Sequence, residues 1–129
     1  GLNNSDELFI QESNLIKDLA DKESCVIVGR CADFILKDKK NVLKIFVSSS
    51  MENKIKRATE FYHMDKENAE KEIARINKLR SNHYEYYTER GWETPSNYDI
   101  CVNSDSIGIN NVVDLICSIV EKSKELAIK

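Results

Sequence analysis

The stretch SCVIVGRC, Ser24–Cys31, decides how the chain is read. Its four apolar residues, Cys25–Val28, include two valines and an isoleucine, which suit a pleated surface and leave neither face polar. Such a run reads as a short strand buried on both sides, and a strand of that kind needs helices covering both faces of its sheet. The run ends on Gly29, which lets backbone pass close to a ligand, and on Arg30, a permanently charged planar fork suited to phosphate. Arg30 capping a carbonyl or pairing with Asp33 is the alternative reading of the same guanidinium.

Working outward, Asn4–Asp21 places Leu8, Leu15, Ile16 and Leu19 at helical spacing, with Ser5 or Asn4 available as a cap. Downstream, a short helix over Ala32–Lys37 leads through the polar turn KDKKN to a second strand, Val42–Val47. Ser49 and Glu52 have capping-box spacing and open a helix to Tyr62. Asp65 caps another helix that continues to Arg90, where Gly91 supplies a stop. That helix would have about 26 residues and a length near 40 Å, which invites a break or a projecting arm. GWETPSN is the clearest loop, YDICVN (Tyr98–Asn103) a third strand, and Ile109–Leu126 a final helix with Ile109, Val112, Val113, Ile116 and Val120 on one face. Helices alternating with strands in this order predict an α/β protein with a parallel sheet flanked by helices.

A length of 129 residues fits one domain, 1–129, with a core of modest size. The net charge of −3 excludes nucleic-acid binding by bulk electrostatics, so any phosphate recognition must be local. The longest apolar runs are too short to cross a bilayer, and the N-terminal residues lack the pattern of a secretory leader, so no membrane association is expected. Cys25, Cys31, Cys101 and Cys117 contain no CxxC pair, which fits reduced structural thiols and a cytoplasmic location. His63 and His83 are isolated from other ligand types, and no metal site is predicted.

Ligands of open α/β sheets bind beyond the carboxyl ends of the strands. Gly29-Arg30, Ser48–Ser50 and Asn103-Ser104-Asp105 all fall at predicted strand ends and are expected along one rim. A second basic set lies on the helices. Arg57 follows the second strand by one capped helix; Lys71, Arg75 and Lys78 share a face at i, i+4 and i+7, where a solvated face with glutamate partners also explains them. Arg80 lies on a stripe with Tyr84 and Tyr87. Tyr84, Tyr86, Tyr87 and Trp92 could stack a base, although packing is the favoured role. A Walker A loop requires GxxxxGK[ST], and the four glycines, Gly1, Gly29, Gly91 and Gly108, supply none.

Four segments in order, CVIVGRCADFIL, LKIFVSSSMENKIKRA, RINKLRSNHYEYYTERGW and NYDICVNSDSIGINNVVDLI, resemble the cytidylate-kinase-like family across about residues 7–120. The resemblance implies a three-layer P-loop nucleotide-kinase fold with a helical lid-like region at about 51–92. It also implies transfer of a phosphoryl group from ATP, with Mg2+, to a nucleoside monophosphate such as cytidylate. On that footing Gly29 and Arg30 face the acceptor; Arg75, from the basic set on the helix, is separately expected on the substrate side. Arg57 opens the lid near the donor, Arg80 reaches the transferring phosphoryl group as the last residue of the RDxxDxxR pattern, and Asn103 and Ser104 lie near the donor base. Three departures accompany it: Cys31 stands where the family has aspartate after GR, Asn77 stands at the second aspartate of RDxxDxxR, and Ile73-Ala74 stand at its leading RD. Family members place a P-loop strand and helix before the position of Gly1, so the chain is expected to be incomplete at its N-terminus and inactive alone. Unpaired strand edges would then favour a homo-oligomer. The alternative is a non-catalytic nucleotide- or partner-binding module of the same fold.

Overall fold

A computed structural model describes residues 3–123. The described residues form two compact units, one extending to Val42 and one beginning at Leu43.

The first unit opens with α1 (Asn4–Lys22). Asn3, rather than Ser5 or Asn4, caps it: an extended backbone at Asn3 leaves its Oδ1 free to accept the Asp6 N–H at 2.8 Å. Of the expected apolar face only Ile16 is buried, and Leu8 and Leu15 stand more than half exposed. Ile16 packs with Ala32 and Leu36, the latter following α2 (Ala32–Ile35), and Ala20, Ile27, Ile35 and Val42 close around them. The predicted strand Cys25–Val28 is not formed. A strand exists only through a paired neighbour, and this segment has none among the described residues. Ile27 alone turns toward the core, while Val26 and Val28 are 93% and 83% exposed.

In the second unit β1 (Ile45–Ser48) and β2 (Ile100–Asn103) pair in parallel, with Ile45 opposite Ile100 and Ser48 opposite Asn103. The parallel pairing matches the sequence reading, and the second strand begins three residues later than expected. Parallel neighbours need a long crossover, here α3 (Met51–Phe61) and α4 (Lys66–Thr88). These helices pack together, and each buries a small residue, Ala58 on α3 and Ala69 on α4, which permits close approach of the two backbones. Ser50 caps α3 by accepting the Asn53 N–H at 3.1 Å, one residue later than the Ser49/Glu52 box, because the Ser49 hydroxyl is engaged elsewhere. Asp65 caps α4 as expected, accepting the Asn68 N–H at 3.0 Å. The helix runs unbroken for 23 residues and stops before Gly91. Glu89 takes the left-handed conformation that ends it, with its N–H on the Glu85 carbonyl, and the Thr88 hydroxyl accepts the Arg90 N–H.

The loop after α4 holds a 3-10 turn at Pro95–Asn97 and is tied to the sheet by aromatic packing. Phe46 of β1 meets Trp92 edge-on at 5.7 Å and Tyr98 at 5.0 Å, and the Tyr98 hydroxyl donates to the Trp92 carbonyl. Beyond β2, α5 (Ser104–Ile107) joins α6 (Ile109–Lys122) at Gly108, whose φ of 91° is a conformation that side chains disfavour. On the expected apolar face of α6 only Val112 is fully buried. Its predicted end at Leu126 lies outside the described residues. The architecture is helix-rich α/β with a small parallel sheet, and among the described residues no helix is long and apolar enough to cross a membrane.

Candidate functional site

Beyond the carboxyl ends of β1 and β2, two of the predicted rim segments meet. Each residue of Asn103-Ser104-Asp105 makes a different link. The Asn103 Oδ1 accepts the Asp105 N–H at 2.9 Å, and the Ser104 hydroxyl donates to the Ser48 carbonyl of β1 at 3.1 Å. The Asp105 carboxylate accepts from the Ser49 hydroxyl at 2.9 Å and from the Ser50 N–H at 2.7 Å. The Asn53 side-chain amide beside it and these Ser50 and Ser49 donors hold the Asp105 carboxyl well below the usual carboxylate range.

This corner forms one wall of an open depression of about 210 Å3. α3 supplies another wall through Asn53, Lys56, Arg57 and Glu60, which recur at i, i+3, i+4 and i+7 and so share one helical face. Ser104 and Asp105 line it from the β2 side, with Phe61 and Ile109 as apolar contacts. Among the described residues neither Lys56 nor Arg57 forms an ion pair. Two adjacent cations in no ion pair, although Glu60 and Asp105 share the lining, make this depression suited to an anionic group, with Asn53 and Ser104 offering hydrogen bonds beside them.

The structure thus brings Arg57, Asn103 and Ser104 to one corner. Lys56 was not singled out from the sequence, although it adjoins Arg57; Asp105 was expected only as part of the rim segment Asn103-Ser104-Asp105. Arg75 and Arg80 lie elsewhere, on α4. The Arg75 guanidinium donates through Nε and Nη2 to Glu72 at 3.0 and 2.5 Å, the solvated-face pairing that its spacing allows. Lys71 pairs with Glu67 in the same manner. Arg80 is exposed and lines neither this depression nor a second one of about 460 Å3, where Asn77, Lys78, Ser81 and Glu85 face Gly91 and Trp92. Tyr84 is buried and Tyr86 is largely exposed.

Gly29 and Arg30 belong to the first unit, on a turn in which Gly29, Arg30 and Cys31 all have positive φ, near 69°, 58° and 57°. Glycine takes that conformation freely, whereas each side-chain-bearing residue does so at a cost of about 1–2 kcal/mol. Arg30 Nη1 lies 3.5 Å from Glu12 Oε1, so its ionic partner is on α1 rather than Asp33. Both ends of that pair retain solvent contact, and it contributes little to stability. Burial, with the Asp33 and Glu12 carboxylates nearby, pushes the Cys31 thiol up to about 11. That environment favours the neutral thiol at Cys31 over the thiolate, the form that reacts. All four cysteines are free, and no group of three or more potential metal ligands forms among the described residues.

The chain matches the model of the Cytidylate kinase-like family over residues 2–106. Among solved structures it is similar to that of an uncharacterized protein from Eubacterium ventriosum ATCC 27560, at 29% identity and a TM-score of 0.85, covering 94% of this chain and 69% of that one. No curated protein matches it.

Proposed function

We propose, from the premise that this chain belongs to the cytidylate kinase-like family, that it binds nucleotide phosphates at the sheet-end depression as part of a nucleoside monophosphate kinase site. The observation that carries the reading is the pair Lys56 and Arg57, in no ion pair among the described residues and lining an open depression beyond the carboxyl ends of a parallel sheet. ATP is the proposed donor and a cytidylate-like monophosphate the proposed acceptor. In such transfer the protein contributes position and charge: cations offset the negative charge spread over the moving phosphoryl oxygens. Lys56 and Arg57 fit that task through their charge and their freedom from competing partners. Mg2+ would offset charge on the ATP phosphates, and no residue of this chain is assigned to it. Arg80 and Arg30 are proposed for the lid and acceptor roles that the family implies.

The 129 residues contain no GxxxxGK[ST], the loop that cradles the β and γ phosphates. The three-layer P-loop arrangement, ATP turnover and a cytoplasmic setting are therefore proposed for the chain only together with such a loop. Cys31 in place of an acid supports a second reading as a binding module without catalysis. The test is calorimetric titration of the 129-residue chain with ATP and with a panel of nucleoside monophosphates, alongside a transfer assay. Saturable nucleotide binding without turnover is expected. Absence of any nucleotide binding at millimolar concentration would overturn the proposal, and turnover by this chain alone would overturn the requirement for a phosphate-cradling loop.

A further inference from the structure

We infer that Asp105 is a positioning residue for the phosphate-binding face of α3, fastening the helix to the end of β2 so that Lys56 and Arg57 point into the depression. The inference rests on the reading of that depression as an anion site. Asp105 reaches α3 at its first turn, through the Ser50 N–H and beside Asn53, while the Ser49 hydroxyl ties it to the segment leaving β1. Asn53 stands on the same stripe as Lys56 and Arg57, so the fastening acts on the face that carries the cations. Asp105 is itself anchored: its N–H is held by Asn103, and its neighbour Ser104 is hydrogen-bonded to the Ser48 carbonyl. The α3 start is thereby fixed to both strands at once. A carboxylate is required because the Ser49 hydroxyl and the Ser50 N–H reach different oxygens, with the Asn53 amide beside them, and a side-chain amide presents only one accepting oxygen.

Position and charge make opposite predictions here. A carboxylate beside Lys56 and Arg57 repels an incoming anion, so on charge alone Asp105→Asn would tighten phosphate binding. On positioning it weakens it, because one donor then faces an NH2 group and the α3 start loosens. The probe is inorganic tripolyphosphate, titrated calorimetrically into the full chain at a temperature where circular dichroism shows each variant folded. The expected result is affinity lower by roughly tenfold for Asp105→Asn. Ser49→Ala, which leaves the carboxylate in place and removes one donor, is expected to lose about two- to threefold, and the double variant to be no weaker than Asp105→Asn, since both act on one linkage. If the unaltered chain binds no tripolyphosphate, the anion-site reading falls and the inference with it. If it binds and Asp105→Asn binds as tightly or more tightly, the inference alone falls. Should Asp105→Asn fail to fold, an unchanged affinity for Ser49→Ala overturns it.

Discussion

Replacing Arg57 by glutamine should weaken ATP binding about tenfold, whereas the same change at Arg75 should leave it within twofold. Two unit charges about 4 Å apart attract by roughly 1 kcal/mol in bulk water and about 4 kcal/mol at the effective dielectric of a protein surface. The depression is open, which puts Arg57 in the lower part of that range, about 1–2 kcal/mol, or roughly a 5- to 30-fold change in affinity. Glutamine keeps hydrogen-bonding capacity and much of the length, so the loss reports charge. Arg57 has no carboxylate partner among the described residues, and its removal leaves no protein anion uncompensated. Arg75 is already committed to Glu72 on a solvated face and lines no part of the depression. Calorimetric titration of both variants at two salt concentrations is the assay. The unaltered chain and Arg75→Gln should lose affinity with salt in parallel, and Arg57→Gln should show a shallower dependence, since one cation no longer takes part. Equal affinities for Arg57→Gln and the unaltered chain, or an equal loss in Arg75→Gln, would refute the assignment of the phosphate site to α3.

Three further outcomes follow from local geometry. In the native chain a thiol reagent should modify Cys25, Cys101 and Cys117 quickly and Cys31 slowly, since Cys31 is buried and its thiol sits near 11; four equal rates would contradict this. Gly108→Ala should cost about 1–3 kcal/mol of stability, read as a lower urea midpoint. No neighbour lies closer than 3.9 Å to the added carbon, so that cost is conformational rather than steric, and an unchanged midpoint would show that the α5–α6 junction tolerates a side chain. Asp105 has a folded-state value depressed below its ordinary 3.8, so it favours the folded state above that value and this contribution disappears as pH falls through the depressed one. The stability difference between the unaltered chain and Asp105→Asn should therefore be flat above about pH 5 and shrink on acidification. A difference that grows toward low pH would reverse the sign.

The helices were legible because their signals are local. Asp65 and the spacing of α4, or the loop glycine and proline between Arg90 and Tyr98, depend on neighbours a few residues away. The two strands that formed, around Phe46 and Val102, share with Cys25–Val28 the same short apolar character, and nothing within those runs separates them. What separates them is a partner. β1 has β2 alongside it and the other run has no paired neighbour among the described residues, so Val26 and Val28 remain exposed despite a composition suited to burial. The same limit explains the misplaced cap of α3. Ser49 and Ser50 are equivalent by rule, and the choice falls to Ser50 because Ser49 is drawn to a carboxylate 56 residues later.

The candidate site shows that limit most clearly, because its parts were visible and its linkage was not. Ligand position at the carboxyl ends of parallel strands follows from topology alone, and it points to Ser48–Ser50 and Asn103–Asp105 without any knowledge of contacts. Arg57 was visible as a cation one helix beyond a strand. Within its rim segment the linking role of Asp105 carried no mark, since an aspartate at the start of a helix ordinarily reads as favourable placement near a positive helix end. Its different role comes from bonds that span 55 and 56 positions in the chain, joining the start of α3 to the end of β2. Such a bond forms only after β1 and β2 have set their register, with Ser48 opposite Asn103. The register is thus the step that converts two unremarkable serines and an aspartate into a support for Lys56 and Arg57. A shift of one residue in that pairing would move Asp105 about 3.3 Å along the strand direction, far enough to break both hydrogen bonds.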